Sequence, residues 1–200
     1  MMDVVLVDAG GANIGSVNYA LERLGVRARL SADAAVIAAA DRVILPGVGA
    51  APVGMRRLRE LGLVEVVRNL SQPLLGICLG MQLLFESSDE GDVECLGLLP
   101  GRVARLQPQA GVRVPHMGWN QLESLRDDPL LAGMADGASA YFVHGYAAPV
   151  TADTVATCTH GAAFAAVVRR GHCQGAQFHP ERSGAVGARL LGNFLSGSNA

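Results

Sequence analysis

One short segment near the middle of the chain constrains the fold more than any other. Residues 74–82 read LLGICLGMQ, where a continuous apolar run meets a Gly-x-Cys-x-Gly turn that leads into a helical pattern. A sharp turn from strand to helix strains the backbone of its central residue, so the positions two residues away must lack a bulky side chain. Gly76 and Gly80 occupy those positions around Cys78. The segment therefore predicts a strand–turn–helix unit of an α/β protein, with Cys78 at the helix N-terminus.

The first half of the chain alternates apolar runs with stretches of helical periodicity. Buried strands are predicted at residues 4–7, 42–45 and 74–77. Helices are predicted from about residue 13 to the glycine at 25, from about residue 53 to 70, and from 80 to 86. This alternation predicts a parallel sheet with right-handed crossovers.

The second half carries shorter β candidates joined by Gly, Pro and Asp turns. They fall at residues 103–106, 140–143, 155–159, 165–168 and 175–178, and a last helix is predicted over 184–195. The sequence shows no internal repeat and no low-complexity linker. It predicts a single α/β domain over residues 1–200, with a mixed, mostly parallel central sheet flanked by helices.

Cys78 is the candidate nucleophile. A thiol at a helix N-terminus is favoured as thiolate, and the backbone N–H of Leu79 points the same way and could donate to an oxyanion. The alternative is a buried structural cysteine flanked by packing glycines. That reading stands for the remaining cysteines, which lack such a context and show neither zinc-ligand spacing nor a C-x-x-C pair: Cys95, Cys158 and Cys173.

A nucleophilic thiol needs a base, and the base needs an orienting partner. His179 and Glu181 lie in the segment QFHPE, directly after a predicted strand. Two residues apart in an extended chain, they project to the same side, and the carboxylate can fix the tautomer of the imidazole. A surface His-Pro turn with a solvated glutamate is the alternative.

Composition excludes several kinds of chemistry. All sixteen basic residues are arginine, so the chain has no Schiff-base lysine, no pyridoxal-phosphate anchor and no Walker A loop. A net charge of −2 gives no reason to expect a nucleic-acid partner. Gly10 and Gly11 lack the rest of a dinucleotide-binding G-x-G-x-x-G motif. We predict no cofactor and no metal.

The N-terminal segment has no basic region and only a four-residue apolar run, which predicts neither a signal peptide nor a membrane span and favours the cytoplasm.

Two of these segments together resemble the class I (triad) glutamine amidotransferases: GICLGMQ at residues 76–82 and QFHPE at 177–181. The resemblance covers essentially the whole chain and implies a glutaminase with Cys78, His179 and Glu181 as its triad. PGVG at residues 46–49 is similar to the family's oxyanion loop. The resemblance implies an oxyanion hole of Leu79, Val48 and Gly49, and it implies substrate contacts from the residues Gly47, Gln82 and His144. For Gln82, a helix-capping surface amide is the alternative.

Four further segments resemble one branch of this family, the glutaminase subunits of imidazole glycerol-phosphate synthase in histidine biosynthesis. They read DAGGANIGSV, PHMGWN, FVHGY and ERSG, beginning at residues 8, 115, 142 and 181. The resemblance implies a heterodimer with a (β/α)₈-barrel cyclase subunit, into which ammonia passes along an internal path. It makes four residues candidates for the partner interface or ammonia gate: Asn13, Met117, Trp119 and Tyr141. PHMGWN looks like a loop, in which Trp119 could instead be a core or lid residue. Gly145 departs from the pattern, which would have Ser or Thr there.

The implied reaction is hydrolysis of glutamine to glutamate and ammonia through a Cys78 thioester. Three alternatives stay open at the level of the sequence. The chain could be a catalytically weak or inactive binding subunit of the same fold, or the glutaminase of another class I amidotransferase. The third is a thiol-dependent stress protein with a similar elbow, that is, a sharp turn from strand to helix with the cysteine at its centre.

Overall fold

The computed structural model of the protein describes residues 2–10, 14–124 and 126–197. The strands are β1 (Val4–Val7), β2 (Ala28–Ser31), β3 (Arg42–Gly47), β4 (Leu74–Cys78), β5 (Phe85–Ser88), β6 (Val93–Glu94), β7 (Leu99–Arg105), β8 (His116–Gln121), β9 (Glu123–Ser124), β10 (Ser139–His144), β11 (Tyr146–Ala147), β12 (Thr154–His160), β13 (Ala162–Arg170) and β14 (Cys173–Ala176). The α-helices are α1 (Ile14–Glu22), α2 (Ala34–Ala39), α3 (Ala51–Glu60), α4 (Val64–Arg68), α5 (Leu79–Leu83) and α6 (Gly184–Ser196), and short 3₁₀ helices span Pro129–Leu131 and Pro180–Arg182.

The central sheet has the strand order β2-β1-β3-β4-β14-β13-β12-β9 within the described chain. From β2 to β14 neighbouring strands run parallel, and from β14 to β9 they run antiparallel. The predicted mixed, mostly parallel central sheet is therefore confirmed. Strands β3, β4 and β14 lie side by side, so the segments that follow them meet at one edge of the sheet.

Helices cover both faces of this sheet. Every residue of β1 is buried, as expected for a strand with packing on its two sides. Val4 and Leu6 join a core cluster that includes side chains of α1 and α6, while Val5 and Val7 join another that includes side chains of α2 to α5. The alternation of side chains along a strand thus divides the apolar core into two layers.

Two smaller sheets complete the described structure. One has the order β11-β7-β5-β6. The other is an antiparallel ribbon of β8 and β10, in which Trp119 lies opposite Tyr141 and His116 opposite His144. We call it the β8–β10 ribbon. It carries side chains of alternating character, with buried residues on one face and exposed ones on the other.

The helix predicted over residues 53–70 is wrong, because the structure has the separate helices α3 and α4 there. Gly62, at a φ of +67°, lies between them, a backbone conformation that ends a helix and that side chains other than glycine's rarely adopt. The helix predicted over 80–86 is also too long. It ends at Leu83, and Phe85 begins β5, which pairs with β7. A short apolar run reads alike in a helix and a strand, and here the pairing partner decides.

Other differences concern elements that the sequence did not reveal. The PHMGWN segment, predicted as a loop, forms β8, because its alternation is carried by polar and aromatic side chains whose partner is the distant strand β10. Strand β2 and helix α2 were not predicted. β2 is an edge strand with mostly exposed or half-buried side chains, so it lacks a continuous apolar run. Of the helices that the structure describes, none is long and apolar enough to cross a membrane.

Candidate active site

Cys78 lies at the turn between β4 and α5, as the glycine spacing predicts. Its φ of +53° is a strained backbone conformation for a residue with a side chain. A Cβ on Gly80 would lie 1.8 Å from the carbonyl oxygen of Leu45, and one on Gly76 would lie 2.7 Å from backbone atoms of Gly80. The two glycines therefore let the start of α5 press against β3 and β4, and this packing holds the strained turn in place.

The sulfur of Cys78 has three polar neighbours. The side chain of His179 is hydrogen-bonded to it. The amide nitrogen of Gln177 donates to Sγ at 3.7 Å, and the backbone carbonyl of Val143 lies 3.9 Å from Sγ. Cys78 itself is buried to all but 7% of its surface. The thiol is thus almost fully enclosed, with polar groups on several sides.

His179 pairs with Glu181, whose side chain is fully buried. The Nδ1 atom of His179 lies 2.8 Å from Oε1 of Glu181. Burial opposes the charge on the imidazole, but hydrogen bonds and Coulombic attraction to Cys78 and Glu181 outweigh it and raise the pKa of His179 to about 10. At neutral pH the imidazole therefore holds a proton between sulfur and carboxylate.

The pairing arises from a different backbone than the extended chain we predicted. His179 precedes the 3₁₀ helix Pro180–Arg182, so Glu181 reaches the imidazole across a tight turn. Ser183, which sequence reasoning missed, fastens this turn. Its hydroxyl donates to the carbonyl of His179 at 2.7 Å and accepts the backbone N–H of Tyr141 at 2.9 Å. The turn is thereby tied to the β8–β10 ribbon.

A cavity of about 190 Å³ opens onto the thiol. It is lined by residues of the β3–α3 loop, the elbow, the end of β10 and the His179 turn: Val48, Gly49, Cys78, Leu79, Gln82, Glu90, Val143, His144, Gly145, Tyr146 and His179. The cavity therefore brings together Cys78, His179 and the oxyanion-hole and substrate-contact residues that the sequence suggested, with the exception of Gly47. Gly47 pairs in register with Cys78 but packs against the start of α5 and lines a neighbouring cavity instead.

Gln82 is not the helix-capping surface amide that the sequence left open. Its side chain is buried, and its amide nitrogen donates to the carbonyl of Tyr146 at 2.8 Å and to Oε1 of Gln177 at 2.9 Å. Both N–H groups of Gln82 are therefore used within the protein. What it can offer a ligand in the cavity is its carbonyl oxygen, an acceptor.

Glu90 is a cavity residue that sequence reasoning missed. It lies between β5 and β6, and its Oε2 accepts the backbone N–H of Ala51, at the start of α3, at 2.7 Å. This contact anchors the carboxylate at the cavity wall. No local pattern in the sequence distinguishes Glu90 from its acidic neighbours, because its role depends on α3 lying beside it.

His144 lines the cavity, but both of its ring nitrogens are engaged elsewhere. Nδ1 donates to the carbonyl of Tyr146 at 2.8 Å, and Nε2 lies 3.0 Å from Nδ1 of His116. Burial is the main cause that lowers the pKa of His144 to about 3 and that of His116 to about 4. Both rings are therefore neutral near pH 7, and His144 contributes shape to the cavity rather than a free hydrogen-bonding group.

The candidate interface residues gather on the outer face of the β8–β10 ribbon. Met117 and Trp119 are 66% and 59% exposed, so Trp119 is not a core residue. Its indole meets the ring of Tyr141 edge-on at 5.9 Å, and the guanidinium of Arg182 lies 4.6 Å from the centre of the same phenol ring. The face thus combines apolar area with one cation. Asn13 lies outside the described residues.

The helix dipole at Cys78 is weaker than the sequence predicts. Helix α5 has only five residues, and a dipole built from so few peptide units is small. Burial raises the pKa of the thiols at three other positions to about 11 or 12, as expected for structural cysteines: Cys95, Cys158 and Cys173. Among the four, Cys78 alone faces an imidazole that is itself paired with a carboxylate.

Comparison with known proteins identifies the class to which this fold and site correspond. Residues 5–197 match the family model described as "Glutamine amidotransferase class-I". The solved structure of a putative GMP synthase protein from Thermoplasma acidophilum shares the fold, with a TM-score of 0.75 at 19% identity over 98% of this chain and 92% of that one. The chain belongs to the class-I glutamine amidotransferase family. This membership confirms the predicted resemblance and excludes the stress-protein alternative.

Relatives of higher identity narrow the family further. The chain is 70% identical over 195 residues to the "Imidazole glycerol phosphate synthase subunit HisH" of Xanthomonas axonopodis pv. citri (strain 306), covering 98% of each chain. It is 63% identical over the same length, again 98% of each chain, to the protein of that name from Xylella fastidiosa (strain Temecula1). Within the class-I enzymes it therefore falls among the HisH subunits.

Proposed function

We propose that this chain is the glutaminase subunit of imidazole glycerol-phosphate synthase, acting as one domain over its whole length. The observation that carries the proposal is the Cys78–His179–Glu181 arrangement at the wall of a cavity of amino-acid size. Family membership supports the reaction class, and the geometry supports the roles that we assign to the residues. The product ammonia then serves a cyclase subunit in histidine biosynthesis.

The first chemical step is attack on glutamine by the Cys78 sulfur. In the proposed step the sulfur attacks as thiolate beside the imidazole of His179, whose raised pKa keeps a proton on the ring. A C–S bond forms at the side-chain amide carbon and the carbonyl electrons move to oxygen. When they return, the C–N bond breaks, and His179 gives its proton to the leaving nitrogen, which departs as ammonia.

Water completes the cycle. The imidazole, now neutral, takes a proton from water as the oxygen attacks the thioester carbon. A second tetrahedral intermediate collapses with loss of the sulfur, which leaves the product as its γ-carboxylic acid, the Cys78 thiolate and a protonated His179. The acid then loses its proton to water and departs as glutamate. Glu181 holds the same nitrogen of the ring throughout and stabilises the positive charge each time it forms.

Both tetrahedral intermediates carry an oxyanion that needs hydrogen-bond donors. Leu79 opens α5, where a backbone N–H has no partner within the helix. Val48 and Gly49 line the same cavity from the opposite loop, and Gly49 has a φ of +100°, which lets that peptide take orientations closed to other residues. We assign the oxyanion hole to Leu79 and this loop, and each donor is worth about 10²–10³ in rate.

The cavity also suits the other end of glutamine. Glu90 presents a carboxylate and Gln82 an amide oxygen, and both accept hydrogen bonds. A free amino acid carries an α-ammonium group with three N–H donors, which matches these acceptors in charge and in hydrogen-bonding type. We therefore assign Glu90 and Gln82 to recognition of the α-ammonium group.

The outer face of the β8–β10 ribbon suits a protein partner. Exposed Trp and Met side chains beside a half-buried Tyr and an arginine are of the types enriched in protein interfaces. We assign this face to the (β/α)₈-barrel cyclase subunit, with Met117, Trp119 and Tyr141 as contacts. Tyr141 is tied through Ser183 to the His179 turn, so the interface and the catalytic site share one structural support.

The test is glutamate release from glutamine by the chain mixed with the cyclase subunit in the presence of the cyclase's nucleotide ligand. We expect turnover in the complex and its loss in the Cys78→Ala variant. Cys173→Ala, which removes a buried thiol elsewhere, serves as the matched control and should retain turnover. Turnover that persists in Cys78→Ala would refute the assignment. A complex that forms without any turnover would favour the alternative of an inactive binding subunit.

A further inference from the structure

Gln177 is a fully buried residue to which the sequence assigned no role. It follows β14 and stands behind Cys78, two residues before His179. Its amide group lies between two partners, with Oε1 2.9 Å from Nε2 of Gln82 and Nε2 3.7 Å from Sγ of Cys78. A buried amide with both ends engaged is held in one orientation.

The hydrogen-bond network determines which end of the Gln177 amide faces the sulfur. The carbonyl of Tyr146 can only accept, so the end of the Gln82 amide that faces it must be the nitrogen. The second N–H of that nitrogen is directed at Gln177, which must therefore present its oxygen. The remaining end of Gln177, its NH₂ group, is the one that faces sulfur. A backbone carbonyl thus determines, through two side-chain amides, that the sulfur meets a donor.

We propose that Gln177 is a positioning residue that holds Cys78 in its thiolate form through an N–H···S hydrogen bond. The proposal rests on the function proposed above, since it assigns Gln177 a part in generating the nucleophile. A hydrogen bond from an amide N–H stabilises a negatively charged sulfur more than a neutral thiol. Gln177 provides this stabilisation from behind, which leaves the cavity side of the sulfur free to attack.

This assignment solves a problem that the fold creates. The Cys78 thiol is 93% buried, and burial by itself disfavours thiolate, as at Cys95 and Cys173, where it raises the pKa to about 11. Helix α5 is too short to offset burial with a large dipole. The protonated His179 and the Gln177 amide are the groups beside the sulfur that favour negative charge, whereas the carbonyl of Val143 opposes it.

The experiment is the pH dependence of Cys78 alkylation by iodoacetamide, followed by peptide mass spectrometry so that this cysteine alone is counted. The rate follows the thiolate fraction. In Gln177→Met, which keeps the length and volume of the side chain but has no N–H, we expect the acidic midpoint to rise by about one pH unit. Roughly tenfold less thiolate should remain below that midpoint. In the complex, kcat for glutamine should fall while KM stays unchanged, because Gln177 stands outside the cavity wall.

The matched control is Gln174→Met on the same strand, which should leave the midpoint where it is in the unsubstituted protein. Gln82→Met provides an independent variant if Gln177→Met fails to fold. It leaves Gln177 in place but removes the donor that orients it, so a smaller rise in the same direction is expected. An unchanged midpoint in a folded Gln177→Met or Gln82→Met, or an equal rise in Gln174→Met, would overturn the proposal.

Alkylation requires neither glutamine nor the cyclase, so the two proposals fail separately. A shifted midpoint in Gln177→Met together with no glutamine turnover by the unsubstituted complex would refute the proposed function and support the role of Gln177. Normal turnover by the unsubstituted complex, together with an unshifted midpoint in Gln177→Met, would support the proposed function and refute the role of Gln177.

Discussion

Glu181 and His179 are joined by a 2.8 Å contact between Oε1 and Nδ1, made by a carboxylate whose side chain is wholly buried. A buried carboxylate is stable only beside a cation or a strong donor, and the protonated imidazole is both. The contact occupies Nδ1 and leaves Nε2 as the ring nitrogen that can reach Cys78. In the proposed mechanism this contact keeps the proton that the reaction needs on the ring nitrogen nearest the leaving group.

Replacement of Glu181 by Gln tests this relationship. The amide keeps the shape but removes the charge, so it no longer stabilises the imidazolium or fixes its tautomer. We expect kcat to fall by up to about 10⁴-fold, the size associated with the equivalent change in a serine triad. Because Glu181 helps to raise the pKa of His179, the alkaline limb of the kcat/KM profile should move to lower pH. Steady-state kinetics measured across pH check this prediction. If the alkaline limb does not move in the variant, Glu181 has only a structural role.

The histidine pair His116–His144 predicts a specific sensitivity to acid. Both rings are neutral in the folded protein, where their pKa values lie at about 4 and about 3, below the ordinary value of 6.5. As the pH falls below 6.5, the unfolded chain takes up protons that the folded chain does not. The stability that the pair contributes is therefore complete above about pH 6.5 and is lost as the pH falls, by about 1.4 kcal/mol per pH unit for each ring, until about pH 4 for His116 and about pH 3 for His144.

Urea unfolding between pH 7 and pH 4 measures this loss. The variant His116→Asn retains a donor near the position of Nδ1 but cannot take up the proton. The variant should be less stable at pH 7, because it lacks the imidazole ring of His116 that stacks on Phe142 and His160. Its stability should nevertheless decrease less steeply as the pH falls. His172→Asn, outside the cluster, should show the slope of the unsubstituted protein. Equal slopes in all three proteins would contradict the prediction.

Gly145→Ser should be accepted at the cavity wall. A Cβ at this position meets no atom within 4 Å, and the backbone is not in the left-handed region. We expect a change in unfolding free energy within about 0.5 kcal/mol. Gly145 lines the cavity, so we expect the added hydroxyl to give glutamine one further hydrogen bond of about 1 kcal/mol, which would lower KM roughly fivefold. Gly192→Ser on α6 meets equally open space away from the cavity and is the control. A rise in KM would mean that the hydroxyl obstructs glutamine.

Glu90→Gln separates substrate binding from catalysis. Gln retains an oxygen to accept the N–H of Ala51, so the fold of the loop is kept while the charge facing the ammonium group is lost. A charge-assisted hydrogen bond of about 1.5–3 kcal/mol corresponds to a rise in KM of roughly 10–100-fold, with kcat little changed. Glu86→Gln is a close control, because Glu86 also accepts a backbone N–H, that of Gly101, but lies outside the cavity wall. Similar kinetics in both variants would remove Glu90 from the site.

Trp119→Ala should weaken assembly with the cyclase subunit. Removing an exposed tryptophan that anchors an interface costs about 2 kcal/mol or more, which is roughly a thirtyfold loss of affinity. The thermal midpoint of the isolated chain should change little, since the indole is 59% exposed. Val150→Ala removes apolar surface outside the ribbon and should bind normally. The affinities are measured by titration calorimetry. Equal affinities of the two variants for the cyclase subunit would mean that Trp119 is not part of the interface.

The elbow shows how far local sequence can determine structure. A strand, a turn and a helix follow one another within nine residues, and only glycine fits at positions 76 and 80. The position of Cys78 therefore follows from the sequence alone. The pairing of His179 with Glu181 was predicted for the same reason, since the two are near neighbours, although the backbone that joins them proved to be a 3₁₀ turn rather than an extended chain.

Residues whose roles depend on distant partners could not be found in this way. Glu90 matters because α3 lies beside it, Ser183 because it bridges to β10, and Gln177 because Gln82, 95 residues away in the chain, determines which end of its amide meets the sulfur. The strand at PHMGWN was missed because its pairing partner is β10.

The sequence by itself determined the class of fold and brought out the candidate nucleophile and its candidate base, because steric limits at glycines and the reach of neighbouring side chains act within a few residues. The missing lysine likewise restricted the chemistry to a thiol, an imidazole, carboxylates, amides and arginine. Only the tertiary structure decided how those groups ionise and what lies around them. Burial and hydrogen bonding depend on which surfaces the folded chain brings together, and at this site the hydrogen bonds and charges around His179 outweigh its burial and favour a proton on the imidazole.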